Sequence, residues 1–192
     1  MAYEYKGQAN DNTELGVFGD AVINVKIGTT PRTQWRKKTT DPILADSQEI
    51  GLITEDGETF TRSVDITTIG SHQGSNQRSF TTNGSFTLAF TAQQFRPIVK
   101  QLYLGSAVDA VNGFTEVDPD ASIVGTLQYD AWDFHQGFER HLTVDAVGLF
   151  TPNGDLNIAK AAESNFPLLF TAFGAARFNE ARTVDEEDDS EV

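Results

Sequence analysis

Glu55-Asp56-Gly57-Glu58-Thr59-Phe60-Thr61-Arg62-Ser63-Val64-Asp65-Ile66-Thr67-Thr68 decides how the rest of the chain is read. From residue 59 onward the polarity alternates with period two, the signature of a strand with one apolar and one wet face. Thr59, Thr61, Ser63, Asp65 and Thr67 share one face. Phe60, Val64 and Ile66 share the other, interrupted by Arg62. Asp56-Gly57 sits between this strand and the apolar run Ile50-Gly51-Leu52-Ile53. Asp-Gly between apolar runs is a strong hairpin signal, because glycine takes positive φ without steric cost. Residues 49–68 therefore read as a β-hairpin.

The same period recurs on both sides of this stretch. Residues 21–27 alternate Val22, Asn24 and Lys26 with Ile23, Val25 and Ile27. Residues 85–90 set Ser85, Thr87 and Ala89 against Phe86, Leu88 and Phe90. Thr126, Gln128 and Asp130 oppose Leu127 and Tyr129, and a turn at His135-Gln136-Gly137 leads to Thr143 and Asp145 opposing Leu142 and Val144. Thr151-Pro152-Asn153-Gly154 reads as a turn, and residues 166–173 as a buried strand, apolar on both faces. One helix interrupts the strands at about residues 91–104, where Phe95, Ile98, Val99, Leu102 and Tyr103 fall at helical spacing. Thr91 and Gln94 have capping-box spacing and Gly105 supplies a stop. Pro97 conflicts with a helix interior, so the regular helix is expected to begin nearer Gln94. The long loop 29–47 and residues 105–122 show no periodicity. The fold class is mainly β: an antiparallel β-sandwich or barrel with one flanking α-helix.

The 192 residues fit one domain, residues 1–182, followed by an acidic tail, 183–192. Asp185, Glu186, Glu187, Asp188, Asp189 and Glu191 repel one another and have nothing to bury, so this tail is expected to be disordered. With 28 acidic and 14 basic residues the net charge is −14, which disfavours a nucleic-acid-binding module. The absence of cysteine excludes a disulfide, a Cys-based zinc site and a thiol nucleophile. No apolar run reaches membrane-span length and residues 1–10 are polar, so the expectation is a soluble protein outside the general export route.

No catalytic constellation stands out, and neither catalytic residues, metal ligands nor a cofactor are expected. The three histidines are His72, His135 and His141, of which only the last two are near in sequence, across the Gly137 turn. Asp118-Pro119-Asp120 and Asp130-Ala131-Trp132-Asp133 lack the spacing of a calcium loop and read as turns, as does Asn83-Gly84-Ser85. The cluster Arg32, Arg36, Lys37 and Lys38 around Trp35 reads as a solvated loop, as a contact with acidic surface on another copy or, least favoured in so acidic a chain, as a nucleic-acid contact.

The order of these parts carries a resemblance. A strand and a long loop precede Ile50-Gly51-Leu52-Ile53-Thr54-Glu55-Asp56-Gly57-Glu58-Thr59-Phe60. Then Ser79-Phe80-Thr81-Thr82-Asn83-Gly84-Ser85-Phe86-Thr87-Leu88-Ala89-Phe90 runs into the single helix, followed by a late hairpin, a Pro-Asn-Gly-Asp turn and the strand 166–173. Over residues 21–173 the chain resembles the major tail proteins, or tail tube proteins, of long non-contractile-tailed phages, especially those of actinobacterial hosts. The resemblance implies a virion protein, made in the host cytoplasm, that forms hexameric rings stacked into a tube. A continuous inner β-barrel encloses the lumen through which the genome is ejected. It also implies partnership with the tape measure protein, the tail terminator and tail-tip proteins, transient passage of DNA, no membrane partner, and no enzymatic activity.

A conduit for DNA needs a wall that does not grip phosphate, so the small polar face of Thr59, Thr61, Ser63, Asp65 and Thr67 is expected to line the lumen, with Asp130 and Asp145. The loop 29–47, through Arg32, Trp35, Arg36, Lys37 and Lys38, is expected to bind the next ring. Two alternatives stay open at this point. One is the tube of a contractile tail or secretion apparatus. The other is a monomeric carbohydrate-binding β-sandwich with Trp35 and Trp132 as stacking platforms.

Overall fold

A computed structural model describes residues 18–184 except 72–73, 110, 114, 118, 136–137, 157 and 159–164, and the side chains of 68–80, 134–138 and 183–184 also lie outside the description. In chain order the elements are β1 (Asp20–Ile27), a 3-10 turn (Arg32–Gln34), β2 (Gln48–Glu49), β3 (Thr59–Ser71), β4 (Gly74–Ala92), α1 (Pro97–Leu104), β5 (Ile123–His135), β6 (Phe138–Pro152), β7 (Phe166–Ala172) and β8 (Arg177–Val184). The strands form one antiparallel sheet in the order β2-β1-β5-β6-β7-β4-β3, with β8 also on β6.

The branching at β6 shapes the molecule. One edge of β6 pairs with β5 from Phe138 to Phe150. The other edge pairs first with β8, from Phe138 to Asp145, and then with β7, from Gly148 to Pro152. Two strands sharing one edge in succession must diverge, so the sheet splits into two leaves, β2-β1-β5-β6-β8 and β7-β4-β3. The leaves fold toward each other: Phe60 of β3 meets Tyr129 of β5 edge-on, with ring centres 5.0 Å apart, and Phe86 of β4 meets Phe178 of β8 at 5.5 Å. Ile23, Val25, Leu88, Phe90, Leu127, Val144, Phe150, Leu168 and Phe170 fill the space between them. The result is a sandwich-like fold whose sheet is not closed into a barrel. Gly148 stands at the branch, where a Cβ would collide with the Thr171 carbonyl and the Phe170 ring.

Helix α1 covers the core with Ile98, Val99 and Leu102. It begins at Pro97, later than both the 91–104 range and the Gln94 start that the sequence suggests. Pro97 occupies the first helical position, where its missing N–H costs nothing, and Thr91 belongs to β4, paired with Pro167. Gly105 ends the helix at φ 80°, donating its N–H to the Gln101 carbonyl.

Five local expectations are corrected by the pairing. The Asp56-Gly57 turn forms, with the Gly57 N–H on the Thr54 carbonyl, but it does not reverse the chain. Ile53 bridges Ala92 and Thr59 pairs with Ala89, so both arms run along β4 in the same direction and the turn is an excursion between them. The true partner of β3 is β4, the strand that follows it. Asn83-Gly84-Ser85 and Asp130-Ala131-Trp132-Asp133 are strand interiors rather than turns, within β4 and β5. The acidic tail cannot begin at residue 183, because Thr183 and Val184 are the last rungs of β8, opposite Glu139 and Phe138. Residues 185–192, which hold the acidic run, lie outside the described residues. In the register of β5 and β6, His141 faces Trp132 while His135 faces Phe138, so the two histidines are not cross-strand neighbours; His72 lies outside the described residues.

Candidate functional site

The face of the sheet opposite the core is divided into two unlike regions. On β5 and β6 the polar halves of the alternation, Thr126, Gln128, Asp130, Thr143 and Asp145, are all buried. What covers them is the loop 29–47, which lies across this leaf as a strap.

The strap is built from two turns that flank Arg36. In the first, Pro31 leads into the 3-10 turn and the Arg32 carbonyl accepts the Trp35 N–H at 3.3 Å. Trp35 is thereby turned inward to 4% exposure, with Nε1 donating to the Thr30 carbonyl at 3.1 Å and the Arg32 guanidinium over its ring. In the second, Asp41 Oδ2 accepts the Lys37 and Lys38 N–H groups at 2.7 and 3.1 Å. These bonds and the two lysine charges hold the Asp41 carboxyl below its usual pKa. The chain bends away at once, leaving both lysine side chains exposed.

Between the turns Arg36 enters the sheet. Its Nη1 donates to both oxygens of Asp130, at 2.6 and 2.8 Å. Nε and Nη2 donate to Asp145 Oδ1 at 2.9 and 2.7 Å, and Nη2 also reaches the Tyr129 carbonyl. The Arg36 backbone N–H bonds Asp145 Oδ2 at 2.6 Å. Burial by itself would lower the Arg36 pKa, but the hydrogen bonds and charges of Asp145 and Asp130 outweigh it and the pKa is raised. His141, stacked on Trp132, places Nε2 3.0 Å from Asp130 Oδ1. The rest of the strap is tied down by Gln128, whose Oε1 accepts from the Leu44 N–H and the Ser47 hydroxyl, and by Thr126 on Thr30. From β8, Arg177 donates to the Trp35 and Arg36 carbonyls and Asn179 to the Arg36 carbonyl.

This geometry overturns part of the sequence reading. Asp130 and Asp145, expected on an open wall, are 6% and 0% exposed beneath the strap. Trp35 and Arg36, expected at an interface between copies, are spent inside their own subunit. Only Arg32, Lys37 and Lys38 of that set are exposed. Neither tryptophan is a free stacking platform, since Trp35 is buried and Trp132 is half-buried against His141.

The second region of the outward face is bare. Thr59, Thr61, Ser63, Asp65 and Thr67 are all exposed, and β4 continues their chemistry rung by rung. Thr61 pairs with Thr87, Ser63 with Ser85 and Asp65 with Asn83. Ser63 and Ser85 hydroxyls are 2.7 Å apart, and Asn83 Nδ2 donates to Asp65 Oδ2 at 3.2 Å. Beyond Asp65 the register shifts by a bulge on β4, yet Thr67 still reaches Thr82, at 3.4 Å. The opposite, apolar face continues the core through Phe60 and Phe86, then leaves Ile66 69% exposed where the hairpin outruns β7. Strand β3 ends the sheet, so its outer edge has no partner strand among the described residues.

A family model described as phage tail tube protein matches residues 9–191, nearly the whole chain. The chain belongs to the phage tail tube protein family. This tail tube protein is therefore a structural component of the virion tail and not an enzyme, and it assembles with itself and with other tail components. A search of curated proteins finds no match. Among solved structures, a chain of the anti-feeding prophage (AFP) baseplate, 6-fold symmetrised by cryo-electron microscopy, aligns with 89% of this chain and 97% of its own. The identity is 9% and the TM-score 0.41, a likeness too distant to support any argument.

The sequence found the bare face because its alternation is uninterrupted. It missed the buried one because alternation in β5 and β6 looks the same whether a strap covers the polar side or water does. It also missed β8, whose charged alternation, Arg177-Phe178-Asn179-Glu180, runs into the acidic tail without a break. The signal that was available is Phe178, the one large apolar side chain there, which packs on Phe60 and Phe86.

Proposed function

We propose that this tail tube protein forms hexameric rings that stack into the tube of a long, non-contractile phage tail, and that the genome leaves the virion through its lumen. The observation that carries the reading is the bare ladder of β3 and β4. Its outward side chains from Thr59 to Thr67 and from Asn83 to Thr87 are hydroxyls, an amide and one carboxylate, with no lysine or arginine among them. Such a surface hydrates well and offers phosphate no cation, which is what a wall for DNA in transit requires. The unpartnered edge of β3 gives the next subunit a strand to pair with, and a closed ring leaves no edge exposed. In this reading Thr59, Thr61, Ser63, Asp65 and Thr67 face the lumen, while Arg32, Lys37 and Lys38 face the next ring. The tape measure protein occupies the tube before ejection, and terminator and tail-tip proteins close its ends. Synthesis takes place in the host cytoplasm.

Negative-stain microscopy of the purified protein tests assembly directly, with tubes expected and a persistent monomer counting against the reading. Because the chain has no cysteine, a single Ser63→Cys thiol tests the wall. In tubes it should react with a bulky maleimide far more slowly than a Lys38→Cys thiol, and equal rates would move the ladder out of the lumen. Asp65→Lys should leave assembly intact and slow ejection, since a cation repeated around every ring turns a repulsive wall into a phosphate-binding one. A contractile sheath around the tube in virions would replace the non-contractile reading.

A further inference from the structure

Trp35 and Arg36 cannot serve both the interior of their own subunit and a neighbour, and this limits what the strap has to offer another copy. We propose that Arg36 is the positioning residue of a fixed strap: its ion pairs with Asp130 and Asp145 hold residues 29–47 on their own sheet, so that contact with a second copy is confined to the strap's outer side, where Arg32, Lys37 and Lys38 meet acidic surface. The partner rests on the tube reading, while the pin rests on the geometry of the subunit alone.

All three guanidinium nitrogens of Arg36 are engaged, and the side-chain exposures of Arg36, Asp130 and Asp145 are 2%, 8% and 1%. Lifting the strap would strand two carboxylates in sites built around a cation, which strongly disfavours the open state. The clasp is two-sided, because Arg177 and Asn179 of β8 hold the carbonyls of the residues whose side chains point into the sheet. The display of the lysines follows from the same anchor. Arg36 goes in, Asp41 takes the next two N–H groups, and Lys37 and Lys38 emerge side by side. Asp41 and Asp46 offset part of the strap's charge, but its outer side stays net positive in a chain whose net charge is −14. Opposite fields of this kind steer association and fix its register.

Limited trypsin digestion of the folded subunit, with cut sites mapped by mass spectrometry, tests the pin without requiring a tube. The wild-type strap should resist cleavage after Lys37 and Lys38. Arg36→Met should speed cleavage there by about a hundredfold, because it removes one partner of a buried ion cluster. The triple variant Arg36→Met/Asp130→Asn/Asp145→Asn should return to within about tenfold of wild type, since no buried charge is then left unpaired. Wild-type protection in Arg36→Met, or a triple variant as labile as the single, would overturn the pin. Where Arg36→Met does not fold, Arg36→Lys gives the same readout: intermediate release supports the pin, and wild-type protection overturns it. For the partner, Lys37→Glu/Lys38→Glu should keep the strap protected at Arg36 and slow tube elongation, most strongly at low salt. Unchanged elongation would overturn the partner. Wild-type protein that shows the protection pattern but never forms tubes would overturn the tube reading and the partner together, and would leave the pin in place.

Discussion

Two regions of one sheet face carry nearly the same sequence pattern and meet opposite fates. On β3 and β4 the described polar positions stay in solvent and bond to one another across the hairpin. On β5 and β6 they are sealed under the strap and organised around one arginine. A threonine, a glutamine or an aspartate at an outward position says only that the side chain can meet water. Whether it does depends on a segment about a hundred residues away. A buried polar face is stable only when every group on it is satisfied. Here the strap supplies those partners through Arg36, the Leu44 N–H, Ser47 and Thr30.

The difference predicts unequal costs of substitution. The largest is expected at Asp145. Asp145→Ala leaves Arg36 with half of its counter-charge and its backbone N–H unpaired, and urea unfolding should show a loss of about 3–5 kcal/mol. A loss under 1 kcal/mol would mean that the covered region is not held by charge. Trp35→Ala removes the strap's main apolar anchor and should lower stability by about 3 kcal/mol in the same assay, the usual scale for truncating a buried aromatic. No change there would place Trp35 outside the stabilising contacts of the subunit.

A smaller effect is expected at the seam between the regions. Glu58 enters β3 with its carboxyl 3.5 Å from the Tyr129 hydroxyl. Burial raises the Glu58 pKa, against the lowering effect of its backbone and Tyr129 hydrogen bonds. Burial and the Glu58 charge likewise push the Tyr129 phenol up. A carboxyl whose pKa is raised on folding holds its proton more tightly in the native state, so its ionisation costs stability as pH rises through the carboxylate range. Glu58→Gln should therefore match wild type at acid pH and exceed it near neutrality. Thermal melts at the two pH values check this, and a variant less stable at neutral pH would reverse the sign. The smallest effects belong to the bare ladder, where Thr61→Ala and Ser63→Ala should each change unfolding free energy by no more than ~0.5 kcal/mol. A loss above 1 kcal/mol from either would show that this face is not open to solvent in the subunit.

The sequence carried the strand faces well wherever alternation was paired with aromatic or branched residues. It also gave the family, through the order of its parts. It carried the Asp-Gly turn but assigned it the wrong work, because a local turn signal cannot report which distant strand each arm will pair with. Pro97 marked a boundary correctly in kind, and the helix simply starts on the proline itself, as its missing donor allows.

By itself the sequence determined the period-two pattern, one helix among the strands, the hydroxyl-rich face of β3 and the exclusion of thiol chemistry, because these depend on residue type and local spacing alone. Only the tertiary structure decided that Ile53 and Thr59 follow the same strand, that β6 shares one edge between β8 and β7, and that Arg36 sits between Asp130 and Asp145. Those outcomes come from contacts between segments well separated in the chain, whose favourable energy appears only once the chain has closed on itself. No local preference encodes them.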